Sequence, residues 1–323
     1  MPFTLDDLRA ASELVHRVVP PTPQYAWPLL GAALDAEVWV KHENHTPTGA
    51  FKVRGGVVYV DRLVHERPEV KGLISATRGN HGQSIALAGR RAGVPVTIVV
   101  PHGNSPDKNA AMRAFGAELI EHGRDFQAAR EHAAALAKER GLEMVPSFHT
   151  DLVLGVATYA LELFEAVADL DAVYVPVGMG SGICGLIAAR DLLGLSTEII
   201  GVVAANAPAT ALSFAAGHPV STETADTFID GVACRIPDAT AIDMIVRGAA
   251  RIVEVSEESC AEAIRLLYAT THNLAEPAGA VATAGLMIER ERQRGRRVAT
   301  LLCGGNLDAH LLIEILAGRT PTV

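Results

Sequence analysis

The chain has 323 residues, 49% of them hydrophobic and 5% aromatic, with 28 Lys and Arg against 37 Asp and Glu for a net charge of −9. At ~150 residues per domain that length predicts about two domains. The apolar content excludes a disordered chain, and the acidic balance disfavours nucleic acid or an anionic membrane as partner.

With so few aromatics the core must be aliphatic, which suits the buried strands and covering helices of an α/β protein. Four cysteines, with no CxxC pair, make neither a zinc knuckle nor a disulfide framework, so a reducing cytoplasm is expected. The N-terminus lacks the cationic and apolar regions of a signal peptide. No apolar run reaches the ~18 residues that span a membrane.

In chain order, Thr4 and Asp7 read as a capping box for a first helix, a pair that chance would also produce. Pro20-Pro21-Thr22-Pro23 is a stiff connector. Strands are then expected at 37–41, 73–76, 94–100 and 117–121, with helices at 51–64, 83–92, 109–115 and 126–139. The alternation restarts with a helix at 154–168, a strand at 172–177, a helix at 185–193 and a strand at 199–203. It ends with a strand at 252–255, helices at 258–271 and 278–292, and a strand at 298–302. Strands separated by helices predict βαβ units and parallel sheets. The basic run from Arg290 to Arg297 reads as a solvated helix end.

Ligands of such sheets lie at the carboxyl ends of the strands, and four loops there have unusual composition. The first, Asn44 to Lys52, sets a lysine in the first turn of a helix. Against the helix dipole and beside apolar Phe51, its amine should lose proton affinity, as a nucleophile requires; a surface lysine is the plainer alternative. The second, Ser75-Ala76-Thr77-Arg78-Gly79-Asn80-His81-Gly82-Gln83, could wrap a carboxylate with its N–H groups and the Thr77 hydroxyl, or be a tight turn capped by Asn80. The third, Gly178-Met179-Gly180-Ser181-Gly182-Ile183-Cys184-Gly185, forms a nest for a phosphate. Its glycines also match G-x-G-x-x-G, but the following strand ends Val202-Val203-Ala204 without the acid a dinucleotide needs, so a monophosphate fits better. The fourth is Leu302-Cys303-Gly304-Gly305-Asn306, where Cys303 could meet a flat ligand or be a buried core thiol.

In this order the loops resemble those of fold-type II pyridoxal-phosphate enzymes, specifically the serine/threonine dehydratase family. The matching pieces are Thr48–Gly55, Gly79–Gln83, Gly178–Gly182, Glu276-Pro277-Ala278-Gly279-Ala280 and Cys303–Asn306, which together span nearly the whole chain. The resemblance implies two doubly wound parallel-sheet domains of the tryptophan synthase beta type. A large cofactor-binding domain would comprise residues 1–46 and 146–323, and a small substrate-side domain residues 47–145. It implies pyridoxal 5'-phosphate held covalently by Lys52, with Phe51 on one face of the ring and backbone near Gly231 on the other. Asn80 would bond the phenolic oxygen, with Glu276 also at the cofactor. Gly178, Met179, Gly180, Ser181 and Gly182 would take the phosphate, and Cys303 would face the ring nitrogen. Thr77, Arg78, Gly79, Asn80 and His81 would surround the substrate. Lys52, freed by the incoming amine, would remove the Cα proton. A 3-hydroxy amino acid would lose water and yield a 2-oxo acid and ammonia. A homodimer is expected.

Three departures refine this picture. Relatives that racemise serine carry Ser immediately before Gly-Asn-His, where this chain has Arg78, which cannot act as a base. Relatives that bind a divalent cation use carboxylates in the stretch where this chain reads Val203 to Ala209, so no metal is expected. Pro146-Ser147-Phe148-His149 replaces the Pro-Phe-Asp pattern of threonine dehydratases, which opens 3-phenylserine and 3-hydroxyaspartate as substrates. Arg78 would suit the latter. The chain also ends too soon after its last glycine loop for the regulatory domain of biosynthetic threonine dehydratases. An amino-acid racemase, a β-replacement synthase and a catalytically silent binding protein are the alternatives.

Overall fold

The computed structural model describes residues 3–322 and contains two sheets. The strands are β1 Gln24–Ala26, β2 Glu37–His42, β3 Leu73–Ala76, β4 Val96–Val100, β5 Glu118–Glu121, β6 Glu143–Met144, β7 Ala172–Pro176, β8 Glu198–Ala204, β9 Arg251–Val255 and β10 Arg297–Leu302. The larger sheet runs β1-β2-β10-β7-β8-β9 and the smaller β5-β4-β3-β6. Only β1 is antiparallel to its neighbour, β2; the other pairs are parallel, as the alternating pattern predicts. The fold is the α/β pair of parallel sheets expected.

Burial explains the strand composition. Every residue of β4 (VTIVV) and of β7 (AVYVP) is buried, so these strands read as unbroken apolar runs. One aliphatic cluster surrounds the larger sheet, and two others pack on the smaller. The first helix, Leu5–His16, opens on the capping box: Thr4 N donates to Asp7 at 2.8 Å and Asp7 N to Thr4 Oγ1 at 3.2 Å.

Several boundaries differ from the expectations. Helix Asn80–Ala92 starts three residues before the expected Gln83, because Gly79 rather than the Gly-Asn-His tripeptide forms the turn. Helix Ser181–Leu192 starts at Ser181 instead of Gly185, because Gly180 adopts φ +100° and caps it. Helix Thr150–Ala166 begins four residues early, with His149 Nδ1 accepting from Asp151 N at 3.2 Å. The helix expected over 278–292 breaks at Glu289 into Pro277–Ile288 and Arg290–Gln293. The arginines beyond that break are ion-paired rather than merely solvated: Arg290 with Asp35, Arg296 with Glu198 and Arg297 with Glu37. Strands β1 and β6 and helices Pro28–Leu34, Ala209–Ala216, Ala239–Gly248 and Ala309–Leu316 were not expected.

Two features place the loops that matter. Helices Lys52–Glu66 and Thr150–Ala166 cross through a pair of glycines. A Cβ on Gly155 would lie 2.3 Å from Arg54 O, and one on Gly55 2.7 Å from Leu152 O. No side chain fits between the two backbones, so the start of the Lys52 helix is fixed by main chain. The loop leading into that helix is also stitched to the end of β10. Phe51 N donates to Cys303 O and Gly305 N to Gly49 O, each at 2.9 Å, and Ala50 bridges Gly304.

Candidate active site

The loops after β3, β7 and β10 and the start of helix Lys52–Glu66 converge on one cleft of about 160 Å³. Phe51, Lys52, Thr77, Arg78, Gly79, Asn80, His81, Gly178, Met179, Gly231, Glu276 and Cys303 all line it. Gly180, Ser181 and Gly182 stand immediately behind. Ser181 Oγ accepts from Lys52 Nζ at 3.0 Å, and a Cβ on Gly182 would meet the Phe51 ring at 3.6 Å. Apart from Gly180, which caps the helix behind and faces Ala241, every residue assigned to the site from the sequence is at or against this cleft.

Lys52 is the first residue of its helix, and its ammonium lies 4.7 Å above the Phe51 ring centroid. Its proton affinity is lowered to about 8, as the sequence led one to expect. The main cause is burial rather than the helix dipole, with Cys303 and Glu276 opposing. Burial also pushes the Cys303 thiol well above its ordinary range, so it remains protonated and uncharged. Burial, with the charge of Lys52 adding to it, drives His81 down to about 3 and leaves a neutral imidazole.

The loop after β3 is tied down at one end and open at the other. Thr77 Oγ1 accepts from Gly79 N at 3.0 Å, which leaves the hydroxyl hydrogen free to donate. Asn80 Nδ2 donates to Glu276 Oε1 at 2.5 Å, while Asn306 Nδ2 donates to Asn80 Oδ1 at 2.8 Å, so the Asn80 amide is held from both sides. Arg78 is exposed at the rim and makes no ion pair among the described residues. Glu276 is buried, and burial pushes it up to about 7 against the pull of Lys108.

Two polar atoms here are buried with no hydrogen-bond partner, His81 Nε2 and Glu276 Oε2. The glycines after β7 lie where larger residues could not. A Cβ on Gly178 would come 2.5 Å from Gly231 O, and one on Gly231 2.6 Å from the Ala278 Cβ. The N–H groups opening helix Ser181–Leu192 have no intrahelical partner, an arrangement suited to an anion.

The sequence profile of the Pyridoxal-phosphate dependent enzyme family matches residues 15–304. The chain belongs to that family. It is 32% identical over 315 residues to the L-threonine ammonia-lyase of Thermotoga maritima, covering 97% of this chain and 78% of that protein. It is 31% identical over 323 residues to the L-threo-3-hydroxyaspartate ammonia-lyase of Saccharomyces cerevisiae, covering 99% of each. The processed form of threonine deaminase isoform 2 from Solanum lycopersicum superposes with a TM-score of 0.91 at 31% identity, over 97% of this chain and 92% of that one. Against the biosynthetic L-threonine dehydratase of Salmonella typhimurium the chain spans only 58% of the relative's length.

The cofactor of this pyridoxal-phosphate enzyme is thus pyridoxal phosphate, and the cleft fits it. It offers a buried amine of lowered proton affinity, a flat aromatic wall at Phe51, a glycine-lined helix start for the phosphate and orphaned buried polar atoms awaiting partners.

Two residues of the site, Lys108 and Asp230, escaped the sequence reading, and two more, Asn306 and Ser147, stand there within longer segments without a role of their own. Lys108 and Asp230 line the cleft and pair at 2.6 Å, Asn306 orients Asn80, and Ser147 forms part of the wall. Lys108 follows the carboxyl end of β4, a position that could have drawn attention to it; nothing in the sequence pairs it with Asp230. Among the described residues no helix is long and apolar enough to cross a membrane. Among the described residues no three His, Cys, Asp or Glu side chains gather as metal ligands.

Proposed function

We propose that this enzyme is an ammonia-lyase that converts a 3-hydroxy amino acid to a 2-oxo acid and ammonia, and that it favours a substrate with a second carboxylate, of the 3-hydroxyaspartate type. The observation that carries this reading is an unpaired guanidinium, Arg78, at the rim of a cleft whose floor holds the buried Lys52 amine.

The roles follow from geometry and charge. The substrate's α-carboxylate is received by the Thr77 hydroxyl and the free N–H groups at the start of helix Asn80–Ala92. Lys52, whose amine releases its proton near neutral pH, takes the Cα proton. The bound cofactor supplies delocalisation of the electron pair left when that bond breaks. Phe51 and the Gly231 backbone flank it, the Gly178–Gly182 loop holds its phosphate, and Asn80, steadied by Glu276, bonds its phenolic oxygen. Cys303 remains a neutral thiol and adds no counter-charge, which favours prompt departure of the β-substituent. The β-hydroxyl leaves with a proton as water, a water returns on hydrolysis, and ammonia is the net loss. Arg78 is a guanidinium with donors and no acceptor, so it cannot serve as a second base for racemisation, but it can pair with a β-carboxylate.

This assignment places the substrate contacts, with Phe51, Lys52 and Asn80 at the cofactor, in a smaller domain of residues 47–145, and the phosphate loop, Gly231, Glu276 and Cys303 in a larger cofactor-binding domain of residues 1–46 and 146–323. We take the molecule to work as a cytoplasmic homodimer. The four cysteines are all free, and Tyr25, Leu29, Tyr268, Ile313 and Leu316 are large apolar side chains exposed on adjoining elements.

The test is to supply L-serine, L-threonine, 3-phenylserine and 3-hydroxyaspartate and to measure 2-oxo acid and D-amino acid separately. The expected result is 2-oxo acid release, fastest from 3-hydroxyaspartate. Formation of D-amino acid at a comparable rate overturns the lyase reading. A preference for 3-phenylserine overturns the role of Arg78.

A further inference from the structure

Lys108 belongs to the smaller sheet's side of the cleft yet touches residues of the larger. It lies in helix Pro106–Ala114, whose N-terminus Ser105 caps by accepting from Lys108 N at 3.1 Å. The aliphatic stem runs over Gly79, where a Cβ would stand 2.5 Å from Lys108 Cδ, so only glycine before Asn80 leaves room for it. The ammonium then crosses the cleft. It donates to Asp230 Oδ2 at 2.6 Å and lies 3.6 Å from Glu276 Oε2. Asp230 immediately precedes Gly231, and Glu276 receives the Asn80 amide. The same helix start is tied across a second time, where Ser105 Oγ donates to Asp308 Oδ1 at 2.6 Å.

We propose that Lys108 is a positioning residue, a strut from the smaller sheet's side of the cleft that fixes the placement of Gly231 and Asn80 on two sides of the cofactor. The inference rests on the cofactor site proposed above, but not on which amino acid the enzyme consumes.

A flexible surface lysine would be held neither by a stem groove nor by two carboxylates. Here the stem is buried, and the positive head is the nearest counter-charge to a pair of acids, one of which has an oxygen without any hydrogen bond. Buried charges of this kind demand partners in fixed places. Withdrawing the ammonium therefore frees Asp230 and removes the charge that faces Glu276. Both changes reach residues proposed to contact the cofactor, although Lys108 itself contacts neither cofactor nor reacting atoms in this scheme.

The experiment compares the holoenzyme with Lys108→Met, which keeps the stem and removes the charge, Lys108→Arg, which keeps the charge, and Asp230→Asn. It reads cofactor retention on dialysis and the cofactor's visible absorption band, with far-ultraviolet circular dichroism as the check on folding. The expected result is a folded Lys108→Met that loses cofactor at least about tenfold more readily, with a displaced absorption band. Lys108→Arg should restore both to within about threefold. Lys108→Met combined with Asp230→Asn should lose little more than either alone, as expected of two groups acting through one contact. Retention and spectrum of Lys108→Met within about twofold of the parent would overturn the strut, as would strictly additive losses. Should Lys108→Met fail to fold, Asp230→Asn with an unaltered band and retention overturns it equally. Because neither readout involves substrate, an error in the lyase assignment leaves this result unaffected.

Discussion

Two buried polar clusters flank the first turn of helix Lys52–Glu66, and they are built on opposite principles. On one side Arg54 forms a paired fork, with Nε and Nη2 to Glu43 at 2.7 and 2.9 Å and Nη1 and Nη2 to Glu162 at 2.6 and 2.9 Å. Lys41 spends its three hydrogens on Thr22 O, Gln24 Oε1 and Glu162 Oε2. Two cations face two carboxylates, and none of these four side chains has an unpartnered buried atom. On the other side, two residues earlier in the chain, Lys52 has a single partner in Ser181, while His81 and Glu276 each leave an atom unsatisfied. An orphaned buried polar group costs free energy that a merely structural cluster would not tolerate. The saturated side anchors the helix; the unsaturated side is kept for a ligand.

Titration separates them as well. Burial alone would raise Glu162, but Arg54 and Lys41 pull it down to about 2. Glu276, with one ammonium at 3.6 Å, is left at about 7.

The sharpest way to break the contrast is Lys52→Ala. It removes the proposed cofactor anchor and α-proton base together, so turnover should fall by more than the ~10²–10⁴ of a general base alone, with little loss of thermal stability. A rate above a few per cent of the parent would contradict the role given to Lys52. Arg54→Met attacks the other cluster. It strands the buried Glu43 carboxylate and leaves Glu162 to Lys41, and should cost about 3–5 kcal/mol in denaturant unfolding, whereas a loss below about 1 kcal/mol would mean the network does not anchor the helix.

Acid titration distinguishes the clusters without mutation. Glu162 has a folded value below its ordinary one, so its contribution is present above about 4.5 and is lost as pH falls towards about 2. The loss should reach about 3 kcal/mol at most and be absent in Glu162→Gln. Glu276 has the reverse sign: its raised value makes stability of the cofactor-free protein fall as pH rises from about 4.5 to about 7.

A smaller effect is expected from Arg78→Ser, which should lower the preference for 3-hydroxyaspartate over 3-phenylserine about tenfold, the size of one charge-assisted hydrogen bond. An unchanged ratio would make the arginine structural. Exhaustive chelation should change activity least, less than about twofold, since the stretch after β8, Ala205-Asn206-Ala207-Pro208, carries no carboxylate. Loss of activity restored by magnesium would show a cation elsewhere.

The sequence exposed one of these clusters and concealed the other. Loops rich in Gly, Asn and Thr after β3, β7 and β10 stand out because few folding needs require that composition. Lys41, Glu43 and Glu162 do not stand out: each has the composition of a solvated face, and the contacts of Lys41 and Arg54 with Glu162 join positions over a hundred residues apart. Lys108 and Asp230, 122 positions apart, are hidden for the same reason. The unexpected helices are also understandable. Pro28–Leu34 and Ala309–Leu316 are short and nearly all apolar, without side-chain caps to mark their starts, so periodicity has little to act on. Boundaries at Asn80 and Ser181 moved because a glycine turn and a helix start are spelled with the same residues.

The stitching of Gly49–Phe51 to Cys303–Gly305 has a meaning in time as well as in space. Lys52 is made well before Cys303, at the strand end that fixes its loop. At ~5–20 residues per second, a ribosome takes tens of seconds to cover that interval. A nascent chain released before Cys303 is synthesised would carry the amine without the backbone that aims it. The amine and the backbone that aims it are thus united only once the segment bearing Cys303 is made, and products terminated before it would have no completed site to compete for the cofactor.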